Sequence, residues 1–131
     1  MTKEIWLNLP VKDASKSKEF FKKLGFSIND FGGVVIGKNN FPVMLFEEPV
    51  FKGFVRNELA DTSKVSELLI SIDAESREEV DEWAKNVTAA GGNVFAQPAE
   101  NQGWMYGCAF ADLDGHRWNV LYMDMSKMPG R

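Results

Sequence analysis

Three side chains in this 131-residue chain invite a chemical reading: Glu67, the lone histidine His116 and the lone cysteine Cys108. A carboxylate shut in an apolar cavity is reluctant to ionise and suits a general base. Glu67 stands directly before the apolar run Leu68-Leu69-Ile70 and is the catalytic candidate on that ground. A solvated position at the strand's start, beside Ser66, would leave it no such role. His116 follows at once on Asp114-Gly115, a hairpin signal in which Gly supplies positive φ. It is expected to be an exposed turn residue, sharing its strand face with Trp118. Cys108 lies among Gly107, Ala109 and Phe110, which fits a small, inert, buried strand residue. One cysteine alone forms no intramolecular disulfide. No nucleophile triad or dinucleotide fingerprint is present. Gly32-Gly33 and Gly91-Gly92 are too sparse to cradle phosphate and read as turn and helix-cap residues.

The elements that must position these groups occur twice. Ile5-Trp6-Leu7-Asn8-Leu9 alternates like a strand, and a helix begins at Asp13. Ser17, Phe20, Phe21 and Leu24 recur at helical spacing up to Gly25. Much later Leu68-Leu69-Ile70-Ser71-Ile72 reads as a second strand. Ser76 with Glu79 has a capping-box spacing, and Val80, Trp83, Ala84 and Val87 repeat the helical pattern up to Gly91. Short strands follow each helix: 26–29, 33–37 and 42–47 in the first half, then 93–97, 105–112 and 116–123 in the second. Each half is therefore β-α-β-β-β, an α+β pattern. The expected organisation is one domain over 1–131, with module one at 3–48, a linker at 49–65 and module two at 66–124. The linker carries Phe51, Phe54 and Val55, which leaves room for a short helix or flap.

Composition narrows the partners. The net charge is −4, with 44% hydrophobic residues. No basic stripe or nucleic-acid motif appears, so nucleic acid is not an expected partner. No apolar run approaches the ~20 residues of a membrane span. Residues Met1 to Trp6 lack the apolar core of a signal peptide, so a cytoplasmic protein is expected, with no membrane partner.

Two motifs carry a family resemblance. Asp112-Leu113-Asp114-Gly115-His116-Arg117-Trp118-Asn119 resembles the D-x-D-G-x-x-x-E hairpin that closes proteins of the vicinal oxygen chelate superfamily. That superfamily includes glyoxalase I, bleomycin-resistance proteins and extradiol dioxygenases. Asn8-Leu9-Pro10-Val11-x-Asp13 resembles its entry to the first helix, and the duplicated pattern extends the likeness over nearly the whole chain. The resemblance implies two tandem βαβββ modules forming a curved mixed sheet around a concave cavity, with helices on the convex side. It also implies metal-ligand positions, which here fall on Trp6, Phe46 (Met44 if the register slips), Glu67 and Asn119. Only Glu67 is a good ligand for a divalent ion, and Asn119 stands where the closing acidic residue belongs.

Strand alternation assigns faces. Ile5, Leu7, Leu9, Val43, Leu45, Leu68, Ile70, Ile72, Trp118, Val120 and Tyr122 are expected in the core. Trp6, Asn8, Met44, Phe46, Leu69, Ser71, Asn119 and Leu121 are expected to line a ligand cavity, with Arg117 and Met123 on the same face. Trp104 follows Gln102-Gly103 in a loop and could act as a lid. The expected function is metal-free binding of a small hydrophobic or aromatic molecule, with no cofactor. Bleomycin-resistance proteins, which the chain resembles, imply a homodimer whose cavities are completed by the partner. The alternative is a metal-dependent lyase or dioxygenase with displaced ligands drawn from Glu67, Glu47, Glu48 or Asp112. A third reading is an interaction module with no small ligand, its cavity plugged by Trp6, Phe46 and linker residues.

Overall fold

The computed structural model describes residues 1–130. Asp13 caps the first helix by accepting from the backbone N–H of Lys16 at 3.1 Å. That helix, α1 (Ala14–Lys23), follows strand β1 (Leu7–Val11). The chain then forms β2 (Ser27–Ile28), β3 (Val34–Ile36) and β4 (Phe41–Glu47). A second helix, α2 (Glu48–Val55), occupies the segment expected to join the modules. The pattern then repeats as β5 (Leu69–Asp73), α3 (Arg77–Ala90), β6 (Asn93–Asn101), β7 (Met105–Ala111) and β8 (Arg117–Met123). Ser76 caps α3 by accepting from the Glu79 N–H at 3.1 Å, while the Glu79 carboxylate reaches back to the N–H of Glu75.

The two halves build the same sheet. Their strand orders are β1-β4-β3-β2 and β5-β8-β7-β6, which become identical when the second half is renumbered from one. In each, the first strand pairs parallel with the last, and the remaining pairs are antiparallel. This is an α+β fold of two βαβββ units with open sheets, as the alternating patterns require. The backs of both sheets share one core with α1 and α3. Leu9, Val11, Val34, Val43 and Leu45 meet Phe20 and Phe21 there, and Trp118, Phe110, Val120 and Cys108 meet Val80, Ala84 and Val87. Phe21 and Phe26 both lie against Trp118, with ring centroids 5.4 and 6.3 Å apart, so aromatic contacts seal the two halves together.

Three strand assignments are corrected. Ile5 and Trp6 lie ahead of β1 and are exposed rather than sheet residues. Leu7 pairs with Val43, so Trp6 would fall opposite Pro42, which has no N–H to offer a ladder. Leu68 lies outside β5, and its side chain is exposed instead of joining the core. β8 begins only at Arg117, so no strand partner exists for Leu68 to continue the ladder. Ile70, Ile72 and Tyr122 are partly buried and pack onto the core, in agreement with their alternation.

Candidate functional site

The residues of the closing hairpin are joints before they are anything else. Asp112 is buried, and one carboxylate oxygen accepts from the backbone N–H groups of Asp114 and His116, each at 3.0 Å. Its other oxygen accepts from the indole N–H of Trp118 at 3.1 Å. Desolvation pushes the Asp112 carboxyl above its usual range, against the opposing pull of His116 and of the Trp118 hydrogen bond. Asp114 reaches across to the first half: its carboxylate accepts from the Lys12 N–H and from the Ser17 hydroxyl, each at 2.8 Å. The carbonyl of Asp114 also accepts from the Thr62 hydroxyl in the connecting segment.

His116 departs from expectation. It is 6% exposed, not a solvated turn residue. Its Nε2 lies 2.7 Å from the carbonyl of Pro10 and donates to it. No local signal in the sequence points to this, because the strand that holds His116 lies more than a hundred residues away.

A cavity of about 370 Å³ opens beside this joint. Its walls come from Asn8, Leu9 and Pro10 of β1, Phe51 and Val55 of α2, the connecting segment from Asn57 to Leu68, and Gly115, His116 and Arg117 at the start of β8. A shallower hollow continues from it over Leu69 and Phe95, sharing Ser66, Glu67, Leu68 and Arg117. Hence of the residues expected to act on a ligand, Asn8 and Glu67 line the cavity, and Glu67 and Leu69 line the hollow. Glu67 is exposed at the shared rim, so this chain does not supply the apolar enclosure a carboxylate base needs.

The expected site residues fall in four places. Asn8, Met44 and Phe46 share the open face of the first sheet, where Asn8 is the register partner of Met44. That face is covered in part by α2, and Phe54 meets Phe46 edge-on at 5.0 Å. Leu69, Ser71, Asn119 and Leu121 share the open face of the second sheet, with Ser71 opposite Asn119. The side-chain oxygen of Asn119 is buried there with no hydrogen-bond partner. Trp6 is exposed ahead of β1. Trp104 lies in the turn before β7, and its carbonyl accepts from the Asp124 N–H at 2.8 Å. That turn is at the far end of β8, about 20 Å from the cavity by strand rise, so the structure does not bring Trp104 to it as a lid.

Arg117, on the same strand face as Asn119 and Leu121, has no role in the expectations above. Arg117 is half-buried, its Nε is buried without an acceptor, and its guanidinium lies 4.2 Å from the ring centroid of Phe95.

Comparison with known proteins fits this geometry. Residues 3–36 match the family described as bleomycin resistance protein-like N-terminal. The fold closely matches a hypothetical protein from S. aureus, with 38% sequence identity and a TM-score of 0.82, covering 93% of this chain and 94% of that one. The N-terminal part of the chain and its whole fold are thus similar to proteins of the vicinal oxygen chelate superfamily. Other solved structures share its fold at lower identity. A glyoxalase-related enzyme from Fulvimarina pelagi has 17% identity and a TM-score of 0.77, with 93% and 88% of the two chains covered. A glyoxalase/bleomycin resistance protein/dioxygenase family enzyme from Burkholderia phytofirmans PsJN has 14% identity and a TM-score of 0.73, with 90% and 96% covered. Among curated proteins, none matches significantly. Among the described residues no three His, Cys, Asp or Glu side chains gather as ligands for an ion. The positions that the resemblance assigns to a metal carry indole, phenyl, carboxylate and amide, which do not fit a catalytic divalent cation. No helix among the described residues is long and apolar enough to cross a membrane.

Proposed function

We propose that this protein binds a small hydrophobic or aromatic molecule, that it does so without a family-type metal ion, and that it works as a cytoplasmic homodimer. The observation that carries the reading is the cavity of about 370 Å³ between β1, α2 and the hairpin joint. Its volume falls within the ~300–1,000 Å³ range of small-molecule sites. Leu9, Phe51, Val55, Leu59, Val65 and Leu68 give it apolar walls, with a few polar groups at the rim. The aromatic and amide side chains at the family's metal positions support a site that works by shape and burial. Exposed apolar residues on the open face of the second sheet, Leu69, Phe95 and Met123, support a second copy covering that face.

A fluorescence melting screen of the purified protein against small aromatic compounds and hydrophobic antibiotics tests this. A true ligand at a hundred times its Kd adds about 2.7 kcal/mol to stability. In a domain of this size that raises Tm by on the order of 10 °C. Leu59→Trp, which fills the cavity, should abolish the rise. A library in which no compound gives a saturable rise would sink the proposal.

A further inference from the structure

Arg117 is the one cation that lines both the cavity and the adjoining hollow among the described residues. The Nε is buried and makes no hydrogen bond. A buried donor left unpaired is costly, so such groups normally have a partner. No carboxylate of the described residues stands within 4.0 Å of the guanidinium. The two carboxylates that share its cavity are otherwise disposed. Glu58 is paired with Lys52 at 3.2 Å, and Glu67 is exposed at the rim. His116, the neighbouring wall residue, has its Nε2 committed to Pro10. Meanwhile Phe95 supports the guanidinium plane at 4.2 Å and restrains its orientation. A planar fork held in place is the geometry that recognises a carboxylate with two parallel hydrogen bonds.

We propose that Arg117 is the specificity-determining residue of this site, binding the carboxylate of a ligand whose aryl or alkyl body lies along Phe51, Val55, Leu59, Val65 and Leu68. This rests on the reading of the cavity as a small-molecule site and narrows it to amphipathic organic acids. The apolar walls and the guanidinium line the same cavity, so a ligand of this class satisfies both.

The test uses a matched pair of probes on the whole protein: 4-phenylbutyrate and its neutral amide, 4-phenylbutanamide. Affinity is read by calorimetry and by the shift in Tm. The acid should bind the wild type about tenfold or more tightly than the amide, the worth of one charge-assisted hydrogen-bonded pair. Arg117→Gln should remove that preference by weakening the acid at least about tenfold more than the amide, whose carbonyl accepts only neutral-type hydrogen bonds from the guanidinium. Arg117→Lys, which keeps the charge and loses the fork, should retain part of the preference. Equal binding of acid and amide by the wild type would overturn this inference and leave the small-molecule reading intact. Binding of neither, together with a blank library screen, would overturn the small-molecule reading itself. If Arg117 instead pairs with a carboxylate of a second copy, Arg117→Gln lowers the solution mass and the probes bind alike, which also overturns the inference. The comparison of probes on the wild type does not depend on either variant folding.

Discussion

Cys108 shows how far one residue's environment can be carried into a measurement. It is 4% exposed on β7, and its sulfur lies 3.8 Å from the carbonyl of Val80. Burial pushes the thiol up from 9.0 to about 11, with the nearby charge of Asp81 adding to the effect. The folded state therefore keeps its thiol proton where the unfolded chain has lost it. The unfolded state binds fewer protons between pH 9 and 11, so stability falls as pH rises through that window. Below pH 9 this contribution is constant. Urea melts of the wild type and Cys108→Ala at pH 8 and pH 10.5 should differ in one respect: the wild type loses more stability on going to the higher pH. A thiol reagent at pH 8 should label the native protein slowly and the urea-unfolded protein fast. Equal pH responses in the two proteins would contradict the buried-thiol account.

At the scale of elements, the β7–β8 hairpin does more than turn the chain. Gly115 has φ of +87°, and a Cβ placed there would come within 2.6 Å of the Thr62 carbonyl oxygen and 2.9 Å of the Ser63 nitrogen. Both neighbours are backbone, so they cannot rotate away. Gly115→Ala therefore combines left-handed strain of ~1–2 kcal/mol with displacement of the connecting segment. Its expected cost is at least about 2 kcal/mol, read as a lowered urea midpoint at unchanged slope. An unchanged midpoint would mean that Thr62 is not held against the turn. The helix α2 is the other element with consequences for function. None of its residues is buried, yet it lies over β1 and β4 and meets Phe46 through Phe54. It converts an open sheet face into one wall of the cavity.

At the scale of the whole molecule, the two modules are joined back to back through α1, α3 and the Trp118 aromatic cluster, while the open face of the second sheet remains uncovered. Leu69 is 53% exposed and Phe95 44%, values unusual for neighbours on one sheet face. If a second copy covers this face, light scattering should give twice the chain mass of 14.7 kDa. Leu69→Glu, at an exposed site of no consequence to the monomer's core, should return the single mass without loss of helix signal. A wild type that remains at 14.7 kDa at high concentration would remove the dimer from the proposal.

Amphipathic periods, capping residues and turn glycines were legible in the chain because each acts within a few residues. They were enough for the duplicated βαβββ pattern, both helix starts, the hairpin at Asp114-Gly115 and the burial of Cys108. Contacts made across a hundred residues were not legible. His116 looks like turn chemistry locally, and becomes buried only because Pro10 of the other module offers it a carbonyl. Asp114 looks like a turn residue and proves to be an acceptor for Lys12 and Ser17. Leu68 alternates like a core residue and stays outside because β8 begins one residue too late to pair with it. Strand periodicity alone therefore determined which residues share a face. The tertiary structure decided which faces become a cavity, because α2 and the connecting segment choose one of them by packing, and packing depends on the distances between elements that no local pattern encodes.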